Sequence, residues 1–358
     1  MEGLLFEPVA KIRSRKTTIA YIVGGLALVG LICGVASMTS KPSLVYSSNF
    51  LELQEFDQFI RAHGKIYKSQ AEFDYRLKVY QDNLSLIRMH NSIDEHLVLK
   101  ANKFADLTNE EFKALYTSEI PHNLESSQST YQDLNASPPL SIDWRDKGAV
   151  TDVQNQGINC KASWAFSGVG AMESAWNIAG NDLEDLSVQQ VIDCISQTGC
   201  QGSTASAAMN YALANNLTTD LIYPYYGTNM TCNTNAVKQY AASFTNVTQV
   251  PTRNPQALTI AISGQPVAAA VESDQFVWQF YYSGVITEYC GININHYVLI
   301  VGYNIDPSLT NSPYYTCKNS WGGDWGESGY VRISTGGQGN GICGIAIQDY
   351  YATAAKAI

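Results

Sequence analysis

Basic residues are scarce. The 358-residue chain has 22 Lys and Arg against 32 Asp and Glu, a net charge of -10 at neutral pH. That deficit speaks against nonspecific nucleic-acid binding, which needs basic surface. Charged residues make up only 15% of the chain and hydrophobic ones 45%, which excludes a disordered polymer. Histidine is scarcer still: there are five, and His296 is the only one after residue 138. The cysteines lack the close C-x-x-C pairs of zinc sites, so no metal is expected. No cofactor is expected either. The glycine-rich "GGQGNG" at 336–341 lacks the strand–loop–helix setting and the Lys-Ser/Thr ending of a phosphate loop, and reads as a turn. There is no internal repeat or long low-complexity tract.

Charge is missing altogether from residues 17–38, "TTIAYIVGGLALVGLICGVASM". Such a run is long enough to cross a bilayer as a helix. The basic "KIRSRK" at 11–16 precedes it and would stay cytosolic. The run is either an uncleaved signal-anchor behind a basic tail (1–16) or a signal peptide cut near Ala36 to Met38. Both readings send the rest of the chain into an oxidising compartment. There the eight cysteines, Cys33, Cys160, Cys194, Cys200, Cys232, Cys290, Cys317 and Cys343, suggest disulfides. N-x-S/T sequons at Asn83, Asn135, Asn216, Asn229 and Asn246 are glycosylation candidates in that compartment.

Residues 48–115 carry helical periodicity, with a helix expected from about Gln70 to Asn91. On it Glu72, Arg76, Tyr80, Asn83, Ile87 and Asn91 recur every three or four residues and share one face. A packed, salt-bridged helix would explain much of that. Residues 116–137 are polar, with a proline and no period, and read as an accessible linker. The domain after it, 138–358, shows helical patterns at 163–178 and 204–215. Strand patterns follow in "PVAAAVES", "HYVLIVGYN" and "YYTCKNSW". Helices first and strands later indicate an α+β domain.

The six-residue face resembles the E-x3-R-x3-F-x2-N-x3-I-x3-N signature of cathepsin L-like propeptides, with Tyr80 in place of Phe. "NKFADLTNEEF" resembles the following G-x-N-x-F-x-D segment through Asn102, Phe104 and Asp106, with Lys100 in place of glycine. "PPLSIDWRDKGAV" resembles a mature papain-type start near Pro138 to Ser141. "NCKASWAFSGVGAMESAW" and "KNSWGGDWG" resemble the active-site stretches of the same family. The resemblance covers the chain from about residue 50. It implies a two-lobed domain, one lobe helical and one barrel-like, behind a helical inhibitory propeptide. It also implies an endolysosomal or secreted location.

The resemblance assigns the nucleophile's place to Ser163, at a helix start where free amides and the helix dipole favour negative charge. It assigns the base to His296, the orienting group to Asn319 beneath Trp321, and the oxyanion donor to Gln156. A serine opening a helix is otherwise common, as is a structural histidine. The implied substrate contacts are Gly202, Ser203, Thr204, Ala205, Ala270, Ile294, Gln348 and Trp321. The implied disulfides are Cys160–Cys200, Cys194–Cys232 and Cys290–Cys343. Cys160 as nucleophile would strand Cys200 and lies about one helical turn from the right place. Cys317 reads as a buried small hydrophobe.

Five departures accompany these matches. Serine stands where the family has its cysteine. One extra residue separates Gln156 from Cys160. Lys161 replaces a glycine beside the nucleophile, and either obstructs the cleft or favours an acidic ligand. Ser203 replaces a glycine. Tyr297 follows the histidine where glycine or alanine is usual, and is expected to crowd the cleft. The expected function is a proprotein whose cleft binds peptides or a protein partner with little or no cleavage. The alternative is an endopeptidase using Ser163, His296 and Asn319. The expected partners are a cleft ligand, the chain's own propeptide and, if residues 17–38 stay attached, a membrane.

Overall fold

A computed structural model of the chain describes residues 44–120, 137–195 and 199–356. The basic tail, the apolar run at 17–38, Cys33, Asn135 and most of the linker lie outside the described residues. Among the described residues no helix is long and apolar enough to cross a membrane. Residues from Glu55 onward form one unit.

Helix α1 spans Leu44–Ala62 and α2 spans Gln70–Asn91. Ser69 caps α2 by accepting the Glu72 amide, which fixes its start where the periodicity placed it. The shared face of α2 is a row of fastenings. Arg76 donates to the Asp106 carbonyl at 2.9 Å and to Glu111 at 2.6 Å. Tyr80 is buried between the rings of Phe56 and Phe59, and Ile87 is buried beside them. Asn83 donates both amide hydrogens, to the carbonyls of Ala105 and Leu107 at 2.9 Å each. Asn91 bonds Leu99 through both its amide and its carbonyl. Together they hold the chain from residue 97 to 111 against the helix.

That held segment is not all helical, as the periodicity suggested. Strand β1, Leu97–Leu99, joins the edge of the main sheet by pairing antiparallel with β5, Tyr281–Ile286. Helix α3, Asn109–Tyr116, follows, started by a reciprocal Thr108–Glu111 capping box. Residues 116–120 are not an accessible linker start. Tyr116, Thr117, Ser118 and Ile120 are buried, because the chain runs on from α3 against the remaining domain.

In that domain α4 spans Ser163–Ile178, α5 Val188–Ile195 and α6 Ala205–Asn215. Helices α4 and α6 touch where Gly168 meets Ala208; a Cβ on Gly168 would lie 2.9 Å from the alanine methyl. The strands are β2 Ser141–Asp143, β3 Phe244–Gln249, β4 Val267–Val271, β6 His296–Asn304, β7 Tyr314–Lys318, β8 Tyr330–Ser334 and β9 Asp349–Ala354. They order as β1-β5-β8-β7-β6-β4-β9-β3, with β2 on β6. Helix α7, Pro255–Gly264, and the short α8, Phe276–Gln279, flank the sheet.

Strand β6 is apolar almost throughout because both its faces are covered. Tyr297, Leu299 and Val301 point to the helical core with α4 and α6. Val298 and Ile300 point to the barrel core. Disulfides join Cys160–Cys200 and Cys194–Cys232 in the helical part and Cys290–Cys343 in the barrel part. Cys317 is a buried free thiol on β7.

Candidate active site

Ser163 opens α4 and His296 opens β6, so the two lobes each bring one end of an element to a common seam. Ser163 is 4% exposed, and its Oγ accepts the Tyr297 amide hydrogen at 3.2 Å. His296 is fully buried. Its Nε2 lies 2.8 Å from Asn319 Oδ1, which also accepts the Ser320 amide. An oxygen acceptor at Nε2 assigns the proton to that nitrogen and leaves Nδ1 with a lone pair. Nδ1 makes no hydrogen bond to Ser163.

Trp321 lies over the pair, its ring 4.7 Å from that of His296. Phe104, Phe112 and Tyr116 pack edge-on against it. Burial pushes the His296 pKa down to about 4, against smaller upward pulls from Asn319 and the Tyr116 carbonyl. The imidazole is therefore neutral at neutral pH.

Gln156 is fully buried and pinned to the loop that carries Asn319. Its main-chain amide donates to the Ser320 carbonyl, and its side-chain oxygen accepts the Ser320 hydroxyl at 2.7 Å. Its Nε2 is buried without a partner. Gly157 turns outward at φ +70°, a conformation that suits glycine, and Ile158 is left 54% exposed. The Cys160–Cys200 bond then returns the chain to α4.

The segment after α3 fills the groove in front of these residues. Ser118 donates its amide to the Asn295 carbonyl at 3.0 Å. Its Oγ lies against Gly202, which sits at φ +108°, and a Cβ there would come within 2.6 Å of that oxygen. Beside it is a groove of about 610 Å³ lined by Lys161, Asn293, Asn295, Lys113 and Glu119. Ser203 and Thr204 are half-buried, and Thr204 caps α6. Ala205, Ala270, Ile294 and Gln348 are at most 2% exposed. The Tyr297 ring does not stand over the groove as its size suggested; it is turned into the wall and is 1% exposed.

Several contributors left no local signal in the sequence. Ser118 and Asn295 meet only through the fold. Behind Asn319, Glu173 accepts the Thr151 hydroxyl, and Lys318 donates to the same oxygen. Desolvation raises the Glu173 pKa and lowers that of Lys318. A water-sized cavity of about 20 Å³ lies between Thr151, Glu173, Lys318 and Asn319.

Among the sequons, Asn229 accepts the Cys200 amide through its side-chain oxygen. Asn229 and Asn246 are exposed and Asn216 is half-buried. Asn83 differs, because both its amide hydrogens are committed to the fold, and a glycan would take one of them.

A hydroxyl at a helix start bonded to the strand that opens with an imidazole, with an amide on that imidazole and a folded-in covering segment, fits the proform of a papain-type peptidase fold. Comparison with known proteins agrees. Residues 138–353 match the papain family cysteine protease pattern, and residues 56–112 match the cathepsin propeptide inhibitor domain (I29). The chain belongs to the papain family, as a proprotein with an inhibitor domain of this type.

It is 40% identical over 309 residues to the senescence-specific cysteine protease SAG12 of Arabidopsis thaliana, covering 83% of this chain and 88% of the relative. It is 35% identical over 317 residues to papain of Carica papaya, covering 86% and 90%. Among solved structures, a recombinant stem bromelain precursor matches with a TM-score of 0.76 at 36% identity, covering 85% of this chain and 99% of that one. The ragweed pollen allergen Amb a 11 in its proform matches with a TM-score of 0.79 at 31% identity, covering 90% and 100%.

Proposed function

We propose that this papain-family proprotein is a peptide-binding relative that has lost most or all cleavage, acting in the secretory pathway, in an endolysosomal lumen or outside the cell. One observation carries the reading. The hydroxyl at the nucleophile's place accepts a main-chain hydrogen from Tyr297 and makes no hydrogen bond with the His296 imidazole.

The chemistry points the same way. A thiol with pKa near 8.5 is brought into the thiolate range by a helix start and an imidazolium. An alcohol is not, and needs its proton removed as it attacks. The imidazolium so formed would sit where burial already resists charge, against a neutral Asn319. In a serine triad, exchanging the aspartate for an amide lowers turnover by about 10⁴. Peptide binding, by contrast, needs only the groove, Gly202 and the main-chain partners that Ser118 now uses.

The second reading is an active endopeptidase using Ser163, His296 and Asn319. It is favoured by the unpaired Gln156 Nε2, a donor available to a developing oxyanion. The experiment is to cut the linker with an added peptidase and assay a panel of peptide amides from acid to neutral pH, with Ser163→Cys alongside. Turnover by the cysteine variant alone supports the binder. Clear turnover by the parent supports the endopeptidase.

A further inference from the structure

We infer that the Asp274 carboxylate is a seat for a cation, and that the cleft ligand carries a lysine or arginine side chain that takes the place Lys113 holds in the proform. The inference deepens the peptide-binding reading and rests on it for the identity of the ligand.

The position follows from strand pairing. Val271, the last residue of β4, lies opposite His296, the first of β6. Asp274 comes three residues later, so at most about 10 Å of chain separates it from that pair. The loop between is fastened to the approach to β6, because the Ser273 amide donates to Asn295 Oδ1 at 2.9 Å. The carbonyl of the same Asn295 takes the Ser118 amide of the covering segment. Asp274 therefore borders the path of that segment.

The charge there is one-sided. Asp274 is 4% exposed and Glu272 is 6% exposed. One side-chain amide, Gln275 Nε2, donates to both, at 3.0 Å to Asp274 Oδ1 and at 3.2 Å to Glu272 Oε1. Glu272 also takes the main-chain amides of Gly291 and Asn293. Asp274 Oδ2 instead takes the Lys113 ammonium of α3, at 2.5 Å. The hydrogen bond to Asp274 raises the Lys113 pKa, and the charges of Asp274 and Glu272 add to it.

A contact made only to dock the segment would not need a buried carboxylate. Among the described residues two ion pairs join the segment to the domain, Lys113–Asp274 and Lys103–Asp324. Asp324 is more than half exposed, so water replaces its partner when the segment leaves. Asp274 would be left beside a second carboxylate, and among the described residues no lysine or arginine of the domain pairs with either. A buried carboxylate that loses its partner is strongly disfavoured, and a cation from a ligand restores it. Lys113 shows that the approach exists, since it lines the groove of about 610 Å³ while its ammonium reaches Asp274.

The test uses the full proprotein first. Lys113→Ala should unfold at a lower temperature than the parent. n-Propylammonium chloride should restore it saturably, beyond sodium chloride at equal ionic strength, and should leave the parent unaffected. Adding Asp274→Asn should abolish that restoration. No specific effect of the amine on Lys113→Ala, or one that survives Asp274→Asn, overturns the cation seat. Linker-cleaved protein is then titrated with labelled peptides in which one position at a time carries Lys, Ala or Glu. At one position the parent should bind the Lys peptide at least about tenfold more tightly than its Ala counterpart, the scale of a hydrogen bond to a charged group. Asp274→Asn should erase that preference. Equal binding of Lys and Ala peptides at every position, or a preference that persists in Asp274→Asn, overturns the ligand claim. If no peptide binds and Ser163→Cys is also silent, the peptide-binding reading fails, and the amine result alone decides whether Asp274 seats a cation.

Discussion

The covering segment and the cleft it covers treat their buried polar groups in opposite ways. In the segment nearly every buried polar side chain is matched. Asp106 takes Lys65 on one oxygen and Tyr67 on the other. Asn102 donates to the Gln279 carbonyl and accepts the Phe104 amide. In the cleft, Gln156 Nε2, Asn319 Nδ2 and Trp321 Nε1 are all unmatched. Native interiors rarely leave such groups alone. A region built for stability spends its hydrogen bonds internally, whereas a region built for a ligand keeps some in reserve.

The largest expected effect tests the cleft side of that contrast. Ser163→Cys in linker-cleaved protein should raise turnover of peptide amides by at least about a thousandfold, since it supplies an ionisable nucleophile to an otherwise intact His–Asn pair. Initial-rate assays decide it, and equal rates for both proteins would mean that the serine is not what limits cleavage.

Next comes pH. His296 is held neutral in the folded proform, with its pKa lowered to about 4. A lowered histidine contributes stability that is present above its unfolded value near 6.5 and is lost as pH falls toward 4. The loss should reach roughly 3 kcal/mol on that basis. His296→Gln should flatten this part of the pH profile of thermal unfolding. A slope unchanged by the substitution would assign it to other groups.

On the covering side, Asp106→Ala should destabilise the proform by about 2–3 kcal/mol, because it strands Lys65 and the Tyr67 hydroxyl together. Denaturant unfolding reads the loss directly. A change under 0.5 kcal/mol, the scale of an ordinary surface substitution, would show that the matched network adds little.

The smallest effect has the opposite sign. Asp349 is buried on β9, neither carboxyl oxygen has a partner, and burial raises its pKa well above the ordinary value. A raised carboxyl costs stability as pH rises past its unfolded value. Asp349→Val, similar in shape and apolar, should gain about 1–2 kcal/mol at neutral pH, and less in acid. A loss of stability at neutral pH would point to an interaction of the carboxylate that the unmatched oxygens do not reveal.

The same contrast separates what could be read in the sequence from what could not. The α2 face, the helix opened by Ser163 and the Lys-Asn-Ser-Trp stretch are local patterns, set by periodicity, caps and neighbours within a few residues. Their placement followed from that. The seat of Gln156 and the pairing of Tyr297 depend on Ser320 and Ala270, which lie dozens of residues away. No window of sequence holds both partners. The seat of Ser118 on Gly202 is less legible still, since it depends on an atom that glycine lacks.

One feature of the disulfide pattern bears on how the covering segment is kept in place. There is no cysteine between Cys33 and Cys160, so none of the three bonds ties residues 55–120 to the domain they cover. While the linker is whole, the segment is present at a fixed local concentration however dilute the protein is. A single cut turns it into a separate ligand with its own dissociation constant, and dilution alone then determines how much of the cleft is open.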